Sequence, residues 1–277
     1  MEGADGAVDD EGPKAVSVLE FKVSGSTPDS IFAFPDEYRR RARLKPAILE
    51  ILPILLVLSL AAYNAFGGLD TVSRFGGAGF AALLSTLGLT ALLEQLGRDQ
   101  GKRKESALWA TWGGAPTTQM LRHRDAHFCN HVTRARYHQK LQSLVPGVIM
   151  PTAADEAADP VAADAVYEAC TKFLIAKTRD RQKLPLVFEE NVNYGFRRNL
   201  WGMRPAGLLI SLIGTLIAAV GLLVALAGRD ATAIAWMTVL ILDATFLTWW
   251  SVRINADWVF ITAKAYAERL MEVLDSL

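Results

Sequence analysis

Cysteine is nearly absent from this chain: Cys129 and Cys170 are the only two in 277 residues. That density is far below a disulfide scaffold or a four-cysteine zinc module, so redox and structural-metal roles have little support. Net charge is missing as well, because 29 basic and 29 acidic residues cancel. Whole-chain electrostatics therefore select neither nucleic acid nor an acidic surface as a partner. No nucleophile elbow, dinucleotide-binding fingerprint or zinc-hydrolase motif occurs. His123-Arg124-Asp125 with Asn130 has the spacing of a kinase catalytic loop, but the glycine-rich flap, the strand lysine and the Asp-Phe-Gly triplet are lacking. These absences argue against an enzyme and imply no cofactor.

What the chain has in excess is apolar residues, 51% of the total, and they are concentrated in four runs. Pro46–Phe66 carries one charge, Glu50; Gly76–Leu93 and Pro205–Ala227 carry none; Ala231–Trp250 carries only Asp243. Each is about as long as a helix that crosses the hydrocarbon core of a bilayer, and soluble core helices rarely stay uncharged this long. The turns within each pair are short, so the fold class expected is mainly α: a polytopic membrane protein with two transmembrane helical hairpins, 46–96 and 204–250. They flank a helical cytosolic domain over 97–203. Prolines there suggest helices near 117–144, 161–183 and 188–200. Residues 1–45 hold an acidic, partly disordered segment in which the alternation of Ala15–Val23 suggests a strand. Residues 251–277 keep a helical period, so the fourth span is expected to extend as a cytosolic helix.

Basic residues cluster beside the ends that would face the cytoplasm: Arg39, Arg40, Arg41, Arg43 and Lys45, then Arg98, Lys102, Arg103 and Lys104, then Arg197, Arg198 and Arg204. The two short turns carry only Arg74 and Arg229. Since lysine and arginine are retained on the cytoplasmic side, both termini and the central domain are expected there.

Asp243 is the most informative single residue. A carboxylate deep in an apolar helix is costly unless it meets water, a cation or a partner. It either lines an ion path or is a hydrogen-bonded staple to Thr86 or Thr90. Glu50 and Glu94 lie nearer the cytoplasmic ends of the first two spans, so the three acids could line one cation-favouring route. Gly207, Gly214 and Gly221 recur every seven residues and leave one stripe of the third span without bulk, for close helix packing. Four helices of one chain leave little room for a pore, so conduction implies a homo-oligomer.

If 117–144 is one helix, His123, Arg124, His127, His131, Arg134 and His138 fall within one stripe about 100° wide. Histidine and arginine stack on bases and bond to phosphates, which suggests a nucleotide or short nucleic-acid ligand. A solvated basic face is the plainer alternative, and zinc lacks a third ligand. Trp112–Thr118 reads as a loop feeding a helix start, whose free amides can hold an anion.

Two hairpins around a cytosolic helical insert resemble the four-span membrane effectors of bacterial nucleotide-signal and anti-phage systems. The resemblance is one of architecture and transfers no residue. It implies a homo-oligomeric, pore-forming ion channel of the bacterial inner membrane. Such a channel is gated at its cytosolic domain by a nucleotide or oligonucleotide that a partner enzyme makes. The residues also admit a membrane-anchored scaffold without transport, or a small proton-coupled transporter using Glu50 and Asp243.

Overall fold

The computed structural model describes residues 37–65 and 76–277, the side chains of 76–87 excepted. The suggested strand over 15–23 lies outside the described residues. Regular structure among the described residues is entirely helical. In chain order the helices are α1 (Glu37–Ala65, π-helical over Arg40–Leu44), α2 (Gly76–Trp112), α3 (Pro116–Gln119), α4 (His131–Leu144) and α5 (Ala153–Ala158). Then come α6 (Pro160–Lys177), α7 (Pro185–Ala227), α8 (Ala233–Val252) and α9 (Ala256–Glu272).

Three helices, α1, α7 and α8, are long and apolar enough to cross a membrane. Only 33%, 22% and 17% of their most apolar windows is buried within the chain. So large an exposed apolar surface is not tolerated in water and calls for lipid or further copies as its covering. The remaining apolar run, Gly76–Leu93, opens α2, and most of its side chains lie outside those described.

Helix α7 is the spine. Pro185 starts it, at the position where the missing amide costs nothing, and its 43 residues extend about 65 Å. It packs on α1, α2, α8 and α9. Where the sequence suggests a helix ending near 200 and a separate span from Pro205, the structure has one continuous helix with Pro205 inside it. Pro205 leaves the Trp201 carbonyl without its helical donor, yet α7 continues, packed along this stretch against α2 and α8, and Lys104 Nζ of α2 donates to the neighbouring Gly202 C=O at 2.9 Å. α2 and α7 cross at the same level, backbone on backbone: a Cβ at Gly202 would stand 2.6 Å from Gly101 N and 2.8 Å from Gly101 Cα.

Beyond this crossing lies a head built from α3 to α6, α9 and the adjoining ends of α2 and α7. Leu121, Tyr137, Leu141, Tyr167, Cys170, Leu174, Leu270 and Met271 form its core. The expected extension of the last apolar run into 251–277 as a single helix is not seen. α8 ends at Val252, and α9 begins anew with Asn255 as its cap, the side-chain Oδ1 accepting from Trp258 N–H at 2.9 Å. Asparagine competes with the backbone for hydrogen bonds, and so favours a helix start over a helix interior.

The expected helix over 117–144 is also broken. Between α3 and α4, residues 120–130 are irregular, and Asn130 caps α4 by accepting from Val132 N–H. The cause is competition from side chains. Glu156 takes the amides of His123 and Arg124, His138 Nε2 pairs with Leu121 C=O, and Arg134 donates to Arg122 C=O. Backbone groups that a helix would pair internally are satisfied from outside it.

Candidate functional site

Helices α7 and α8 pack through the glycine stripe. Gly207, Gly214 and Gly221 face Trp250, Asp243 and Trp236 in that order, the antiparallel match of two seven-residue repeats. A Cβ at Gly221 would lie 2.6 Å from the Trp236 ring, and one at Gly214 would lie 2.6 Å from Asp243 Oδ2. The close packing that small residues permit is therefore used within the subunit, and two of the three glycines make room for indoles.

Asp243 is 0% exposed, and neither carboxyl oxygen has a hydrogen-bond partner among the described residues. The staple to Thr90 is accordingly not formed, and the Thr86 side chain lies outside those described. Ser211, one turn before Gly214, is equally buried and its Oγ also lacks a partner. From α1, the carbonyl carbon of Pro53 comes within 3.6 Å of the Gly214 Cβ position. One turn earlier Glu50 is 1% exposed, with Oε2 unpartnered. Pro53 has no amide for the Leu49 carbonyl, which adds a further polar group to this face of α1. Three helices thus bring unsatisfied oxygens into an apolar bundle, where each would ordinarily cost on the order of 1–3 kcal/mol.

Glu94 is placed differently. It accepts two bonds from Arg39, at 2.7 and 3.1 Å, and so clamps α2 to the start of α1. Of the three acids expected along one route, Glu50 and Asp243 lie inside a single chain's bundle and Glu94 is neutralised at its edge. Asp243 faces α7, on the side of α8 opposite to an exposed stripe of Thr238, Thr245 and Thr248, whose hydroxyls bond to carbonyls four residues back.

The junction with the head is held by charge pairs around the π-helical turn of α1. Arg41 grips Glu189 of α7 with two bonds of 2.7 Å, which holds the glutamate's pKa below its usual range. Asn199 of α7 donates to Ala42 C=O inside the same turn. π-helical segments often mark functional positions, and this one lies where α1 leaves the head for the bundle.

The histidine and arginine stripe does not exist as one face, because its helix is broken. His123 and His138 meet edge to face, 5.0 Å between ring centres. His138 is buried, and desolvation lowers its pKa, which disfavours a charged ring there. Arg134 is buried on a backbone carbonyl, and Arg124 is spent on Glu156 and Asp164. His127 and His131 are exposed and stand apart from that pair, His127 against Phe128. In this conformation the six residues present no common surface to an anion.

Their real organiser is Glu156, which nothing in its local sequence singles out. It is 2% exposed and accepts from the His123 and Arg124 amides, Arg124 Nη1 and the Tyr167 hydroxyl, the last at 2.8 Å. Burial alone would raise its pKa, but these four donors outweigh burial and hold it down at about 2. Arg122 extends the network to Asp164, Asp125 and Gly113 C=O. Gly113 and Gly114 adopt φ of +80° and +138°, and a Cβ on Gly114 would strike the Arg122 guanidinium. The Trp112–Thr118 loop therefore wraps an internal arginine. The sequence carries one signal for it: residues 97–140 hold nine basic side chains against three acids, and 141–170 hold five acids and no base. No family model, curated protein or solved structure matches this chain.

Proposed function

We propose that this protein crosses a bilayer four times, with the head in the cytoplasm, and that its bundle passes cations when α8 separates from α7. The state described above is the closed one. The observation that carries this reading is Asp243, a buried carboxyl without a donor in an apolar bundle, beside the likewise unsatisfied Ser211 and on the same side as Glu50. Such a cluster gives no structural return for its cost, whereas cation transfer requires it. α2 and α7 run unbroken from head to bundle, so a movement of the head is carried into the spans. The exposed hydroxyl stripe of α8 favours assembly of copies, since a hydroxyl bonded to its own helix can re-bond across an interface. A closed ring of copies, opened through the head in the manner of the bacterial anti-phage effectors, is the setting this suggests.

A wedge tests the reading without knowledge of the trigger. Gly221→Leu drives a side chain into Trp236 and levers α8 off α7. In potassium-loaded proteoliposomes it is expected to leak potassium at least tenfold faster than wild type, and chloride is not expected to follow. Asp243→Asn in the wedge background is expected to reduce the potassium leak by a similar factor. A monodisperse wedge variant that leaks neither ion, or leaks both alike regardless of residue 243, overturns the proposal and leaves an anchored scaffold.

A further inference from the structure

Apart from the bundle and the Glu156 network, a cleft of about 430 Å³ opens on the head between α2, α3, α6, α7 and α9. Its volume lies in the range of small-molecule sites. The residues that give it chemical character are Lys102 and Trp109 of α2, Thr171 and Lys172 of α6, Arg198 of α7 and Tyr266 of α9.

Charge comes first. Lys102 is exposed and forms no ion pair among the described residues. Lys172 holds only an exposed partner one turn away, Glu168 at 3.6 Å, a pairing worth little in water. Arg198 is 9% exposed and bonds through Nη1 to Glu105 at 2.8 Å, but its Nε has no partner. Glu105 is the one part-buried acid on this wall. The oxygen that Arg198 grips also takes the Tyr194 hydroxyl at 2.6 Å, so its charge is held on the wall by two donors. Thr171 is 6% exposed, and its Oγ1 also lacks a partner. Glu168 also lines the cleft, so two carboxylates stand against Lys102, Lys172 and Arg198; the balance is still positive, and the unpaired Lys102, the loosely held Lys172 and the unpartnered Thr171 hydroxyl make a wall that receives an anion.

The apolar walls are aromatic. Tyr266 lies parallel to Tyr194, 8° between the ring planes and 6.4 Å between their centres. Trp109 presents its indole at 37% exposure, unusual for a tryptophan at the rim of a core. Planar platforms beside cations suit a flat ring that carries a negative group.

We infer that this cleft, rather than the histidine residues of 123–138, is a binding site for a small aromatic phosphate of nucleoside-monophosphate size. Its ring would lie against Trp109 and Tyr266, and its phosphate toward Lys102, Lys172 and Thr171. Two of its five walls belong to α2 and α7, the helices that continue into the bundle, so occupancy can reach the spans. That coupling rests on the conduction proposed above, whereas the binding itself does not.

Calorimetric titration of the full chain in detergent distinguishes the sources of affinity. Adenosine 5′-monophosphate is expected to bind with a Kd of about 1 mM or tighter, and inorganic phosphate and adenosine at least tenfold more weakly. Lys102→Ala and Trp109→Ala change exposed side chains and should leave the fold intact. Each is expected to weaken the nucleotide at least fivefold, whereas His131→Ala, remote from the cleft on α4, should not. The inference is overturned if the nucleotide shows no heat at several millimolar, if phosphate alone binds as well, or if the Lys102 and Trp109 variants bind like wild type. These outcomes are independent of potassium flux, so loss of binding and loss of conduction are told apart.

Discussion

Glu156→Ala is expected to unfold the head, with a loss of about 3–5 kcal/mol, the usual cost of removing one partner from a buried ion pair. Domains are stable by only about 5–15 kcal/mol, so little would remain at physiological temperature. The substitution strands the His123 and Arg124 amides and the Tyr167 hydroxyl, which have no other acceptor, and leaves Arg124 with Asp164 alone. Glu156→Gln retains an acceptor without the charge and should lose about half as much. Thermal unfolding followed by circular dichroism measures both. The same carboxyl gives a pH dependence of definite sign. Its pKa is held at about 2, against 4.5 for an unperturbed glutamate. The stability it contributes, about 3 kcal/mol, is fully present above pH 4.5 and is lost as pH falls toward 2. Glu156→Gln should show a flatter stability profile across that window. An unchanged profile would mean that the carboxylate is not the anchor.

Gly202→Leu is expected to separate α2 from α7 and to disconnect the head from the bundle. A Cβ there would already meet the Gly101 backbone at 2.6 Å, and backbone cannot rotate aside as a side chain does. Gly202→Ala should cost about 1–3 kcal/mol, the common penalty of overpacking, and leucine more. The distinguishing result is cooperativity. If the crossing joins the two parts, Gly202→Ala should split a single unfolding transition into two, with the head melting first. One sharp transition at the wild-type temperature would show that the helices do not meet as described.

How much of this was legible in the sequence differs from part to part. The apolar runs 46–66, 205–227 and 231–250 could be read directly, because so long a stretch with at most one charge has no other common explanation. The spacing of Gly207, Gly214 and Gly221 showed that a helix would pack closely there. What spacing could not show was that its partner is the seven-residue repeat Trp236, Asp243 and Trp250, since periodicity puts those three on one face but does not say what they meet. The helix expected over 117–144 was misread for a specific reason. The spacing of His123 to His138 is helical, yet Glu156, His138 and Arg134 capture the intervening backbone, and such capture depends on residues distant in the chain. Pro205 misled in the opposite sense, because a proline removes one helical hydrogen bond without ending a helix that its neighbours hold on both sides, as α2 and α8 hold α7. For Asp243, its cost could be read from the sequence and its orientation could not: it faces the interior of one chain.

The central claim is that Asp243 becomes accessible to ions when α8 leaves α7. Thiol accessibility tests it most directly, with Asp243→Cys placed in the Gly221→Leu background and the buried Cys129 and Cys170 changed to alanine. The Asp243→Cys change should itself cut the potassium leak of the wedge variant, and a small cationic methanethiosulfonate should modify the introduced thiol within minutes and abolish the leak that remains, while the same protein without the wedge stays unmodified. Potassium flux that continues undiminished while that thiol stays unreacted would show that the cation route avoids this position.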